Sequence, residues 1–163
     1  MSSTVFVPVG RAQALALHDD PTSSLADVAG HAATPALMAA YGYDASSLED
    51  AEFAALGYAG VRAVTVEAQD PLRLVLAAQV EPARLSVGSD ELGTVGVAVL
   101  RWSDVSAVFA DEPGAEDDVA AARAAATGQQ PADALDQPAV RRLLDERDLL
   151  WYAPQELTQL VDP

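Results

Sequence analysis

The sequence has no cysteine and no lysine; all nine of its basic residues are arginine. Without cysteine there can be no disulfide, no thiolate nucleophile, no cysteine-ligated zinc and no cysteine-held iron–sulfur cluster. Without lysine there is no P-loop, no Schiff-base chemistry and no Ser-Lys dyad. Positive charge is scarce: 25 acidic residues against nine arginines leave a formal net charge of −16. Affinity for phosphate backbones comes from basic side chains, so neither nucleic acid nor an anionic membrane is expected as a partner. Long apolar runs are missing as well. Stretches such as Leu74 to Ala78 and Val95 to Leu100 fall far short of the ~20 residues that span a bilayer. No basic residue precedes Arg11, so the charged start of a secretory signal is not seen and a cytoplasmic chain is expected. Aromatics make up only 6% of the residues, which makes the position of each one informative.

The 163 residues suit a single domain, 1–163, large enough to bury roughly 70% of its unfolded surface. Val5, Val7 and Val9 alternate with Phe6 and Pro8, which predicts a strand over Thr4 to Val9 that Pro8 keeps at an edge or ends. Arg11 to Leu17 has room for a helical turn or two. His18 to Ala33 and Gly128 to Asp136 show no period and read as flexible connections. Thr34-Pro35 opens a helix that Gly42 can close, and Ser47 caps the next, its early acids Glu49, Asp50 and Glu52 complementing the dipole. Phe53, Leu56, Gly60 and Val64 should form its buried stripe, with Gly57 and Gly60 allowing close approach of another backbone. Arg73 to Val80, apolar on both faces, belongs inside the sheet, and Val95 to Leu100 is similar. Ala107 to Ala110 adds a strand. Glu116-Asp117-Asp118 start a helix ending near Gly128, Val140 to Arg147 forms another, and Leu149 to Ala153 is the closing strand. Strands and helices mix without βαβ alternation. The expected fold class is α+β, a single mixed or mostly antiparallel sheet of about four or five strands packed against helices.

No complete catalytic constellation emerges. His18-Asp19-Asp20 has metal-ligand chemistry, but adjacent residues rarely converge on one ion, and the other histidine, His31, also lies in the presumed loop. The acids around Glu116 lack the spacing of an EF-hand and serve the helix dipole. Ser89 has no nucleophile elbow, and neither Gly57 to Gly60 nor Gly93 to Gly96 is a dinucleotide fingerprint. Arg101-Trp102 and Trp151-Tyr152 stand out, because Trp, Tyr and Arg dominate interface energetics. Alternation in the closing strand sends Leu149 and Trp151 to one face and Leu150 and Tyr152 to the other. The indole is expected to fill the core, leaving Tyr152 accessible in a shallow site with Gln155, Glu156 and Arg101, while Pro154 stops the strand before a short helix reaching Val161.

Val5-Phe6-Val7-Pro8, Thr34-Pro35-Ala36-Leu37 with Tyr41, the acidic opening of the Ser47 helix, Val105 to Asp111, and Leu149-Leu150-Trp151-Tyr152-Ala153 with Gln155-Glu156 resemble an uncharacterised family of small acidic actinobacterial proteins. The closing motif is the most specific of these, and the resemblance spans most of the chain outside the loop after His18 and the segment 128–136. Where this chain has Pro154 the family pattern carries a small polar residue. The resemblance implies a lineage and no mechanism. The leading functional expectation is therefore a non-enzymatic cytoplasmic domain, without cofactor, that contacts a protein or small ligand through Arg101, Trp102, Trp151, Tyr152, Gln155 and Glu156. The alternative is a carboxylate- and metal-dependent hydrolase drawing on the acidic runs and the two histidines. A homo-oligomer is also expected to be open to it, since the alanine-rich helix after Glu116 gives the sheet little cover.

Overall fold

The computed structural model describes residues 1–66 and 70–161; of the expected domain 1–163, residues 67–69 and 162–163 lie outside the described ones. Seven strands form one open sheet: β1 (Ser3–Pro8), β2 (Leu25–Ala32), β3 (Leu74–Val80), β4 (Leu85–Val87), β5 (Thr94–Leu100), β6 (Val105–Asp111) and β7 (Leu149–Tyr152). Their order is β4-β5-β2-β1-β3-β6-β7, and every adjacent pair is antiparallel. The helices are α1 (Arg11–Asp19), α2 (Pro35–Tyr41), α3 (Leu48–Ala63), α4 (Glu116–Ala126), α5 (Pro131–Ala134), α6 (Pro138–Glu146) and α7 (Leu157–Val161). The α+β expectation holds, with more strands than the four or five expected.

Two of those strands were not visible in the sequence. The stretch expected as a loop after His18 continues α1 to Asp19 and then forms β2, which lies between β5 and β1. Its sequence, LADVAGHA, has a single β-branched residue, so the strand is imposed by two strongly apolar neighbours rather than by its own propensity. Asp27 breaks its pairing with β5 and takes φ 52°, a left-handed geometry that Asp tolerates better than most residues. Pro8 does not put β1 at an edge: β1 is internal, and Pro8 merely ends it, opposite Val75. The segment after Gly128 is likewise built, with α5 burying Pro131 and Ala134 and the Gly128 amide donating to the Thr65 carbonyl at 2.8 Å.

Period-two alternation divides the sheet into two faces. Val5 and Val7 of β1, Leu74, Leu76, Ala78 and Val80 of β3, and Val108 of β6 point to the side covered by α1 and α7, which bring Ala14, Leu17, Leu157 and Val161. Phe6, Val75 and Ala77 point to the other, where α2 contributes Leu37 and α3 lays down Ala51, Ala55 and Ala59. Small residues at this i, i+4 spacing bring α3 close to the sheet, and each large apolar side chain so buried contributes about 1.5–3 kcal/mol. Val61 and Val64 at the far end of α3 meet Val119 and Ala122 of α4 and Val140 and Leu143 of α6, so a second helical layer rests on the first.

Capping follows the sequence at α2, where Thr34 Oγ1 accepts from the Leu37 amide at 3.2 Å and Gly42 closes the helix at φ 68°. At α3 it differs: Ser47 makes no side-chain cap, and Asp44 instead holds the preceding turn by accepting from the Ser46 amide. Phe53, expected in the buried stripe of α3, is 75% exposed. The glycines of α3 admit side chains rather than backbone: Leu144 beside Gly57, and Leu149 and Arg73 beside Gly60.

Candidate functional site

Among the described residues β7 pairs only with β6, setting Trp151 opposite Phe109 and Tyr152 opposite Val108, and its outer edge has no partner strand. Alternation distributes its side chains as the sequence predicts, but the burial is the reverse of that expected. Leu149 packs on the α3 side of the sheet, and Trp151, two residues on and on the same side, lies beyond the helical cover with 61% of its surface exposed. Tyr152 is the half-buried ring, packed against the core cluster under α1 and α7. The reason is where the helices stop. Tyr152 borders a cavity with Gln159, Leu160 and Val161 of α7, whereas α3 meets Leu149 at Gly60.

Phe53 extends the exposed apolar surface. It stands one turn before Gly57 and two before Gly60, hence on the flank of α3 that faces Leu144 and Leu149. Because α3 leads into β3, and β7 runs parallel to β3 across β6, Trp151 lies from Leu149 in the direction of the α3 N-terminus. Phe53 and Trp151 thus both lie toward the α3 N-terminus, where the first turn carries Glu49 and Asp50, and half-buried Phe109 stands opposite Trp151 in β6. Sequence reading missed this flank because Phe53 has the spacing of a core residue, yet it is exposed.

The other expected site residues do not gather around Tyr152. Trp102 covers the core edge-on to His18, ring centroids 5.0 Å apart. Arg101 is exposed, and its amide donates to Asp104, the carboxylate that also takes the Arg84 fork at 2.7 and 3.0 Å. Burial alone would raise the Asp104 pKa, but those hydrogen bonds hold it below its ordinary value. Glu156 accepts from the Ala153 amide at 2.7 Å and so fixes the turn after β7, while Gln155 faces solvent. Tyr152 lines a cavity of about 290 Å³ with a different set, including Arg11, Leu72, Gln159 and the buried pair Arg73–Asp111. That pair is closely bonded: the Arg73 Nη2 and Nε donate to Asp111 at 2.7 and 3.0 Å, and the Arg73 amide adds a third bond at 2.7 Å. A buried ion pair bonded this closely fixes how β3 meets β6, a structural role.

His31 is not in a loop, as expected from the sequence, but in β2. It is 0% exposed, its Nδ1–H donates to the Leu92 carbonyl at 2.8 Å, and its Nε2 accepts from the Arg62 Nε–H at 2.9 Å. Both ring nitrogens are used, which makes the imidazole neutral, and burial with the nearby Arg62 charge depresses its pKa to about 4. Beside it, Tyr58 shares a hydroxyl hydrogen bond with Tyr41, and burial together with that bond pushes the Tyr58 phenol above its ordinary value. No group of three or more His, Asp or Glu side chains is placed to hold a metal ion among the described residues, so the hydrolase alternative has no geometry behind it. Among the described residues, too, no helix is long and apolar enough to cross a membrane.

Comparison of the chain with curated proteins and with solved structures finds no match. A family model does match, over residues 3–161, and it spans the β1, α2 and closing-strand segments that carried the resemblance in the sequence. The chain belongs to the family of unknown function DUF6912.

Proposed function

We propose that this is a cytoplasmic, non-enzymatic binding domain that receives an extended, positively charged segment of a partner protein along the open edge of β7. The observation behind this reading is an exposed indole on an unpaired edge strand. Edge strands are ordinarily blunted by charge, proline, shortness or a covering element. β4, at the opposite margin, is three residues long. β7 is short as well, at four residues, but it has neither charge nor proline: Leu149-Leu150-Trp151-Tyr152 has no charged residue, and Leu150 and Trp151 are both exposed. Strand addition would satisfy the open backbone groups, and Trp151 with Phe53 would supply anchors of the residue types that carry interface energy. Charge selects the partner. A chain of net charge −16, with Glu49 and Asp50 in the turn before Phe53, favours basic segments and repels acidic ones.

The test uses a Trp102→Phe background, which leaves Trp151 as the single indole. Titration with an extended peptide alternating Val and Arg should shift the Trp151 emission to the blue and saturate, while an analogue alternating Val and Glu should not. Trp151→Ala should weaken binding, followed by peptide fluorescence anisotropy, about tenfold or more and leave the melting temperature nearly unchanged. An equal response to both peptides removes the reading. So does an emission shift that depends on protein concentration without peptide, which would give the edge to a second copy of the chain.

A further inference from the structure

We infer that the cavity bounded by the end of β1, the start of α1, α3 and α4 binds a small organic anion, a carboxylate or phosphate group carried on an apolar body. This cavity, of about 460 Å³, is distinct from the β7 margin and is lined by Arg62, Arg123, Asp70, Gln13 and a wall that includes Val9 and Val28. Its size falls within the range of small-molecule sites.

The two arginines carry the inference. In a chain with 25 acidic residues, Arg73, Arg84 and Arg147 each pair with a carboxylate. Arg62 and Arg123 make no such pair among the described residues, although both are half-buried and desolvation weighs against the charge of each. Asp90 favours the Arg62 charge, and Asp70 and Asp111 that of Arg123, but without a direct ion pair, and a half-buried guanidinium so placed is costly and ordinarily matched. Each is nevertheless held in place. Arg62 is tethered through Nε to the neutral His31, itself fixed by the Leu92 carbonyl, which leaves the two Nη groups of Arg62 free of the tether. Arg123 donates through Nη1 to the Asp70 carbonyl, and its buried Nε has no acceptor among the described residues.

Among the described residues, the one carboxylate on the cavity wall is already engaged. Asp70 Oδ2 accepts from the Arg11 amide at 3.1 Å, at the positive end of α1. Among the described residues, two guanidiniums and one occupied carboxylate leave the wall net positive within a strongly negative molecule. A planar carboxylate or a phosphate matches the guanidinium fork, and the aliphatic wall takes an apolar body.

The experiment follows the arginine Nε–Hε resonances of the intact protein by NMR while hexanoate, hexyl phosphate, inorganic phosphate, hexanol and hexylamine are added in turn. Saturable shifts at Arg62 and Arg123 with hexanoate or hexyl phosphate, and none at Arg84 or Arg147, are expected; the tighter of the two names the head group. Arg62→Lys and Arg123→Lys keep the charge and lose the fork, and each should weaken binding about tenfold or more. The inference fails if neither organic anion moves those resonances, or if hexanol or hexylamine moves them equally. It fails as well if inorganic phosphate binds as tightly as hexyl phosphate, since the apolar wall would then add nothing.

Discussion

A single histidine shows how far local context can move a side chain from its ordinary behaviour. The folded chain keeps His31 neutral down to a pKa of about 4, whereas the unfolded chain takes up that proton near 6.5. Between those values the unfolded state binds more protons, so stability rises with pH across the window and is lost as the solution is acidified through it. The depression corresponds to roughly 3 kcal/mol for a group that is wholly buried, lost progressively below pH 6.5 and levelling off once pH falls below 4. Urea unfolding above and within the window should register that decline, and His31→Gln should remove most of it. A variant whose acid sensitivity matches the native chain would show that the tethered imidazole is not responsible. His31 was unreadable in the sequence because its burial comes from β2, a strand whose own residues do not announce it.

Among the elements, α1 depends on a residue far along the chain. Gly10 has no side chain to cap the helix, so the first-turn amide of Arg11 is satisfied by Asp70, across 59 positions of sequence. Asp70→Ala should therefore cost about 0.5–2 kcal/mol, the usual range for a lost cap, with faster amide exchange concentrated in the first turn of α1. Uniformly faster exchange would mean that Asp70 acts on the whole fold instead. Elements announced by strong local chemistry were legible in advance: the valine alternation of β1, the Thr34-Pro35 entry to α2, the acidic start of α4 and the two-faced apolar pattern of β3. β2, β4 and α5 were not, because their alanine, serine and glycine carry almost no periodic signal and only neighbours decide their state. In β7 the facing of the side chains could be read from alternation. Which ring would be covered could not, since it depends on how far α3 and α7 extend.

At the scale of the whole molecule, excess negative charge is the dominant long-range term. The Arg73, Arg84 and Arg147 pairs neutralise only a few of the 25 carboxylates, and the remainder repel one another. Screening by salt should relieve that repulsion more than it weakens the partly buried pairs. The melting temperature should accordingly climb by several degrees as sodium chloride is raised from low to physiological levels, measured by calorimetry. A fall would show that attractive surface pairs outweigh the repulsion.

The central place of β1 reaches beyond packing. It is the first strand in the chain, yet its two neighbours lie on opposite sides of it in the sheet, β2 to one side and β3 to the other. One wing, β2-β5-β4, draws on residues up to Leu100, while the other, β3-β6-β7, is finished only by Tyr152. As the polypeptide lengthens, the two halves of the sheet therefore mature at different times around a common spine. Until the last segment arrives β6 stands as a bare margin, the stage at which a nascent chain of this kind has most need of a chaperone.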